Sequence, residues 1–312
     1  METTSANHIV HPTHPFNLRH DKTVPSATRP RAFCKAWLKS HAPANRTNAT
    51  SLPAVVDLRS HANCPRVFNQ GSLGSCTAQA LVCAYHFVDP SLSGSRLFLY
   101  YNERVLDGYV TEDVGSTISS GVRALIQRGL CPETLCPYIP SDFAKKPSDA
   151  AFAKAMDHQV VIAEQVDSTH HAIRACLAAG FPIALGIEVY SSLLSDAAAL
   201  TGKVAMPAAG EVSQGGHAVV CVGYTATSWI MRNSWSEFWG DRGYFYLPLA
   251  FLVDERLTSD LWRIIAVEKE QEQAPLPSPS PSPPPPIVPQ PLPPVVSVLP
   301  PLPVPTCACT IM

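Results

Sequence analysis

Gln70-Gly71-Ser72-Leu73-Gly74-Ser75-Cys76 is a Gly-rich turn that leads straight into an apolar helical segment at 75–87. In that segment Ala78, Ala80, Leu81, Ala84, Tyr85 and Phe87 supply the surface to be buried. A thiol at a helix start faces unpaired backbone N–H groups and the positive end of the helix dipole. Both favour the thiolate, the reactive form. Gln70 lies six residues upstream, and its carboxamide can donate to a developing oxyanion beside the backbone N–H of Cys76.

Working outward, two further stretches complete a chemical set. Gly215-Gly216-His217-Ala218-Val219-Val220 carries a histidine from flexible glycines into an apolar strand. Arg232-Asn233-Ser234-Trp235 precedes Trp239-Gly240-Asp241-Arg242-Gly243-Tyr244. An asparagine side chain can hold an imidazole in one tautomer and one orientation, which is the third role in a nucleophile–base–orienter set. Trp235 is placed to shield that bond from water. Single cysteines and histidines are more often core or surface residues than catalysts. Cys83, Cys176, Cys221, His86, His158, His170 and His171 are read that way.

Composition divides the chain. Residues 1–51 carry scattered His, Pro, Thr and Asn with a short apolar piece at 33–38, and read as an irregular arm or short pro-segment. His8, His11, His14 and His20 lack Cys or carboxylate companions at ligand spacing, so no metal is expected. Residues 52–268 read as the globular domain. Helical patterns recur at 117–128, ending at Gly129, and at 171–179, with Asp167, Ser168 and Thr169 as cap candidates. Short β-branched or aromatic runs follow at 183–190, 217–224, 229–232 and 244–247. Helices first and strands later predict an α+β fold in two segregated halves, with a site in the cleft between them.

The set resembles the papain family of cathepsin-type cysteine peptidases. His217 and Asn233 lie roughly 140 and 160 residues after Cys76, against about 130–150 in that family. The likeness starts at Leu52-Pro53-Ala54-Val55-Val56-Asp57-Leu58-Arg59, runs through Gly129-Leu130-Cys131-Pro132-Glu133 and Pro137-Tyr138, and ends near Trp262. It implies a helical left half, a β-rich right half, and hydrolysis of protein or peptide substrates through an acyl-enzyme, with no cofactor. It carries Gln70, Cys76, His217 and Asn233 over one by one, and matches Gly115 to the glycine that holds substrate backbone. Two positions depart from the pattern. Leu73 stands where a half-cystine usually precedes the nucleophile, and Thr77 where a Trp usually follows it. Both fit the shorter bacterial and viral branches of the family. The arm is short for an inhibitory proregion and lacks its helical spacing. The rival expectation is an idle domain of this fold that presents a Pro-rich tail.

That tail is 269–306. From 274 to 305 half the residues are Pro and none is charged, a composition for extended polyproline II spanning on the order of 100 Å. The terminal 307–312 contains Cys309-Thr310-Ile311-Met312, a match to the prenylation box in which Met favours farnesyl. One prenyl chain anchors weakly, and no Lys or Arg follows Lys269, so Cys307 is the candidate for a second acyl chain. The absence of basic residues weakens an SH3-ligand reading of 286–294, while WW-type or profilin-like binding stays open.

The formal net charge of −2 argues against a nucleic-acid binder. No basic and apolar leader opens the chain, and no apolar run reaches 18 residues. The ten cysteines are then expected to be mostly free thiols, the sequons at Asn45 and Asn48 unused, and the location cytoplasmic, on the cytosolic face of a membrane if the tail is lipidated.

Overall fold

The computed structural model describes residues 16–18 and 51–268, all within one unit, Met1–Glu270. The stretch 269–306, the tail with Cys307 and Cys309, the four arm histidines and both sequons lie outside the described residues.

The apolar helix expected at 75–87 is α1, Cys76–Val88, and every residue in it except His86 and Val88 is buried. A helix that is apolar on all sides has to sit inside the fold. Helix α2 (Arg96–Asp107) and helix α3 (Ile118–Arg128) pack against it on one side. Thr117 Oγ1 starts α3 by accepting the Ser120 N–H at 2.9 Å. Short helices α4 (Asp149–Ala155) and α6 (Asp196–Thr201) are capped by Ser148 and Ser195. Of the three cap candidates for α5 (His170–Ala178), Thr169 is the one that caps, accepting the Ala172 N–H at 3.2 Å.

The other side of α1 meets an eight-stranded sheet. Its path is β3 (Val160–Gln165), β8 (Thr258–Val267), β4 (Ile183–Glu188), β5 (Gly215–Tyr224), β6 (Ser228–Arg232) and β7 (Tyr244–Pro248), antiparallel throughout. The four strands expected from sequence are present to within two residues at each end. The α+β class therefore holds. Strand β5 is buried along almost its whole length and is the strand against which α1 packs.

Two more short strands close on β5. Strand β2 (Val56–Asp57) pairs antiparallel with Tyr224 and Gly223. Strand β1 (Phe16–Asn17) pairs in parallel with Gly215 and Gly216, and the Leu18 N–H donates to the Gly216 carbonyl at 3.0 Å. The arm, expected to be mostly irregular, contributes this short strand. The pairing of β5 with β6 begins only at Val220, so the start of β5 has a strand edge to offer, and backbone groups there recruit the arm. A two-residue strand leaves no periodicity to read.

Gly129 follows α3 with φ +71°, and an added Cβ would come 1.8 Å from the Ala155 carbonyl oxygen. The turn therefore needs glycine for both its backbone angle and the close approach of α4. We expect Gly129→Ala to lower the midpoint of thermal unfolding by at least about 3 °C. An unchanged midpoint would contradict this account of the turn.

Candidate active site

The turn before Cys76 is fastened at several points. Gln70 is fully buried. Its Nε2 donates to the Leu73 carbonyl at 3.0 Å, and its Oε1 accepts from Ser234 Oγ at 2.6 Å. Its backbone N–H donates to the Ser234 carbonyl at 2.9 Å. Ser234 follows Asn233, so these bonds tie the nucleophile turn to the segment that orients the histidine. A second chain runs from Gln79 Nε2 to Ser75 Oγ (3.1 Å), on to Tyr138 OH (2.6 Å), and from there to the Gln70 carbonyl (2.9 Å).

His217 sits on β5 and is 1% exposed. Its Nε2 lies 2.9 Å from Asn233 Oδ1, which also accepts the Ser234 N–H at 2.8 Å. A carboxamide oxygen only accepts, so Nε2 is the donor and carries the hydrogen. The basic nitrogen of the neutral ring is then Nδ1. Trp235 stacks on the imidazole, with centroids 4.8 Å apart and planes 24° from parallel. Trp239 meets Trp235 edge-on at 4.9 Å. Both rings are buried, and Trp235 covers the imidazole face.

Cys76 is 3% exposed, and the backbone N–H of Ala218 reaches its sulfur, so the thiol lies beside the residue that follows His217. The helix does start at Cys76, but its dipole is only half of the electrostatics there. Burial pushes the thiol up to about 12, and the N–H groups of Ala218, Thr77 and Cys76 itself offset only part of that. The charge of Glu103 pushes the same way as burial. A thiolate here therefore needs a cation formed next to it.

Glu103 was not identified from sequence. A Glu on an amphipathic helix ordinarily reads as a solvated side chain. Here it is fully buried, with Oε2 accepting from Thr77 Oγ1 at 2.6 Å and no hydrogen-bond partner for Oε1. Burial pushes its carboxyl up to about 8. Gly115 is also buried, with φ +70°, and donates its N–H to Tyr100 OH at 3.2 Å. An ideal Cβ on Gly74 would lie 3.5 Å from Gly115 N, so this glycine borders the nucleophile turn. Cys76, His217, Asn233, Gln70 and Trp235 are brought together, with Gly115 alongside. Cys307 and Cys309 lie outside the described residues.

A family model described as papain family cysteine protease matches residues 52–250. An uncharacterized peptidase C1-like protein of Acanthamoeba polyphaga mimivirus is 36% identical over 232 residues, covering 68% of this chain and 75% of that protein. Peptidase 1 of Dermatophagoides farinae is 27% identical over 220 residues, 67% of this chain and 65% of its own length. Among solved structures, xylellain, a cysteine protease from Xylella fastidiosa, superposes with a TM-score of 0.69 at 30% identity, covering 82% of this chain and 98% of that one.

Glu103 links the site to stability. Its ordinary value is 4.5 and its folded value about 8. Between those values the folded protein keeps a proton that the unfolded chain has lost, so this group's contribution to stability falls as pH rises through the window. Glu103→Gln keeps a neutral side chain of the same shape. The melting temperature of the variant, relative to wild type, should rise from pH 5 to about pH 8 and level off above that. Parallel melting curves across that range would show that Glu103 does not titrate this way.

Proposed function

The chain belongs to the papain family of cysteine proteases, and we propose that it cleaves peptide bonds through a thioester acyl-enzyme on Cys76. His217 Nδ1 takes the Cys76 proton, and the sulfur attacks the substrate carbonyl carbon. The resulting oxyanion accepts from the Cys76 backbone N–H and from Gln70 Nε2. The imidazolium then protonates the departing amine, leaving the acyl group on sulfur. A water that gives its proton to His217 hydrolyses the thioester and restores the thiol. Gly115 receives the substrate backbone and Trp235 shields the imidazole.

The single observation that carries this reading is the pair of Gln70–Ser234 bonds, at 2.6 and 2.9 Å. They hold the nucleophile turn against the segment that fixes His217. Cys76→Ala should abolish peptide hydrolysis and labelling by an epoxysuccinyl inhibitor with the fold intact, and Gln70→Ala should lower kcat by roughly 10²–10³ more than it changes KM. Normal turnover by Cys76→Ala would end the assignment. A change confined to KM would leave Gln70 as a substrate contact only.

The proposal extends to location. With Met312 as the last residue of the mature chain, prenylation of Cys309 and acylation of Cys307 would hold the enzyme at the cytosolic face of a membrane. The uncharged Pro-rich segment would serve as spacer and as a ligand for Pro-recognising modules. Support comes from the terminal Cys-Thr-Ile-Met box and the charge-free run before it. In cell fractionation, Cys309→Ser should move the protein to the soluble fraction, as should a farnesyltransferase inhibitor acting on wild type. Identical partitioning of wild type and variant would remove the anchor.

A further inference from the structure

Resting on the assignments of Cys76 and Gly115 above, we propose that Asp113 is a positioning residue for the reaction: its carboxylate locks the loop that carries the nucleophile to the loop that carries Gly115. The Gly74 N–H donates to both Asp113 oxygens, each at 3.1 Å. Tyr100 OH donates to Asp113 Oδ1 at 2.5 Å. Having given its only proton to the carboxylate, that hydroxyl accepts from the Gly115 N–H at 3.2 Å. Donors from the turn before Cys76 and from helix α2 thus converge on one side chain, with Gly115 joined to it through Tyr100, and the negative charge makes the bonds to the carboxylate the stronger kind. Burial pushes the Tyr100 phenol above its ordinary value, with the bond to Asp113 adding to the effect, so it stays protonated and keeps its place in the chain.

The packing leaves no slack. An ideal Cβ on Gly74 would lie 3.0 Å from Asp113 Oδ1, 3.5 Å from Gly115 N and 3.5 Å from Tyr100 OH. No covalent link does this work: Leu73 stands three residues before the nucleophile, and the described cysteines are all free. Gln70 fastens the turn to Ser234 and Ser75 fastens it to Tyr138, whereas Asp113 fastens it to Gly115. The distance between the attacking sulfur and the bound peptide is then set by this carboxylate. A misplacement of about 1 Å there is worth on the order of a hundredfold in rate.

Two variants of the full chain separate the branches. Tyr100→Phe keeps the ring and removes both bonds of the hydroxyl, to Asp113 and from Gly115, while leaving the Gly74 bonds to Asp113 in place. Asp113→Ala removes both acceptor oxygens, and with them the partners of Gly74 and Tyr100. Amide hydrogen exchange read by NMR should speed up roughly tenfold to a hundredfold at Gly115 in both variants, and at Gly74 only in Asp113→Ala. With a peptide substrate, Tyr100→Phe should raise KM several-fold and leave kcat within about twofold, and Asp113→Ala should also lower kcat about tenfold. Unchanged Gly115 exchange in Tyr100→Phe overturns the proposal, even if Asp113→Ala fails to fold. Equal losses of kcat in the two variants overturn it as well. A wild-type protein that hydrolyses no peptide would refute the catalytic reading, while the exchange rates would still decide the clamp.

Discussion

Helix α1 has almost no face left for water, and the site depends on that. Its apolar residues are satisfied by the sheet on one side and by α2 and α3 on the other. Burying a helix completely also buries its start, where the first backbone N–H groups lack acceptors within the helix. A buried helix start is stable only when polar groups are brought to it. Here Tyr138 bonds Ser75 Oγ and the Gln70 carbonyl, and the first N–H groups of the helix, with that of Ala218 on β5, bear on the Cys76 sulfur. The requirement that closes the core also gathers the chemistry, and the oxyanion of a bound substrate would be a further acceptor for the same group of donors.

What could be read in the sequence is what is encoded locally. A Gly-rich turn before an apolar run, a histidine after two glycines, and an Asn-Ser-Trp segment each have their meaning within a few residues. Longer-range partners leave no such trace. Ser234 meets Gln70 across 164 residues, Asp113 meets Gly74 across 39, and Glu103 meets Thr77 across 26. Each is an ordinary polar residue until the fold supplies its neighbour. Helix α2 went unread for another reason: its Phe98, Tyr100 and Tyr101 favour a strand by type, and only the Ser95 cap and the buried face settle it as a helix. Strands β3 and β8 mix charged and apolar residues without clean alternation, because β8 lies between two neighbours and β3 at an edge.

A helix does begin at Cys76, so the dipole acts where a Gly-rich turn before an apolar run predicts it. Desolvation is not legible in the same residues, because it depends on how deeply the whole fold buries that position. Burial moves Cys76 and Glu103 in the same direction, towards the protonated form, and the two lie at the same end of the helix. A carboxyl that stays neutral there spares the neighbouring sulfur a second negative charge. On the proposed mechanism, reactivity comes from the exchange of a proton between neighbours, within a neutral pair, more than from an unusually acidic thiol.

The same burial extends to the other sulfurs. Cys83, Cys131, Cys136, Cys176 and Cys221 are each pushed upward by desolvation, as Cys76 is. Peroxide attacks the thiolate, and the climb from sulfenic to sulfinic to sulfonic acid begins there. A core that keeps its sulfurs protonated therefore holds them in their least oxidisable state. For the nucleophile this means that chemical damage and catalysis begin from the same event. On the proposed mechanism, Cys76 becomes vulnerable to oxidants when it becomes reactive toward substrate, and a molecule at rest keeps that sulfur in reserve.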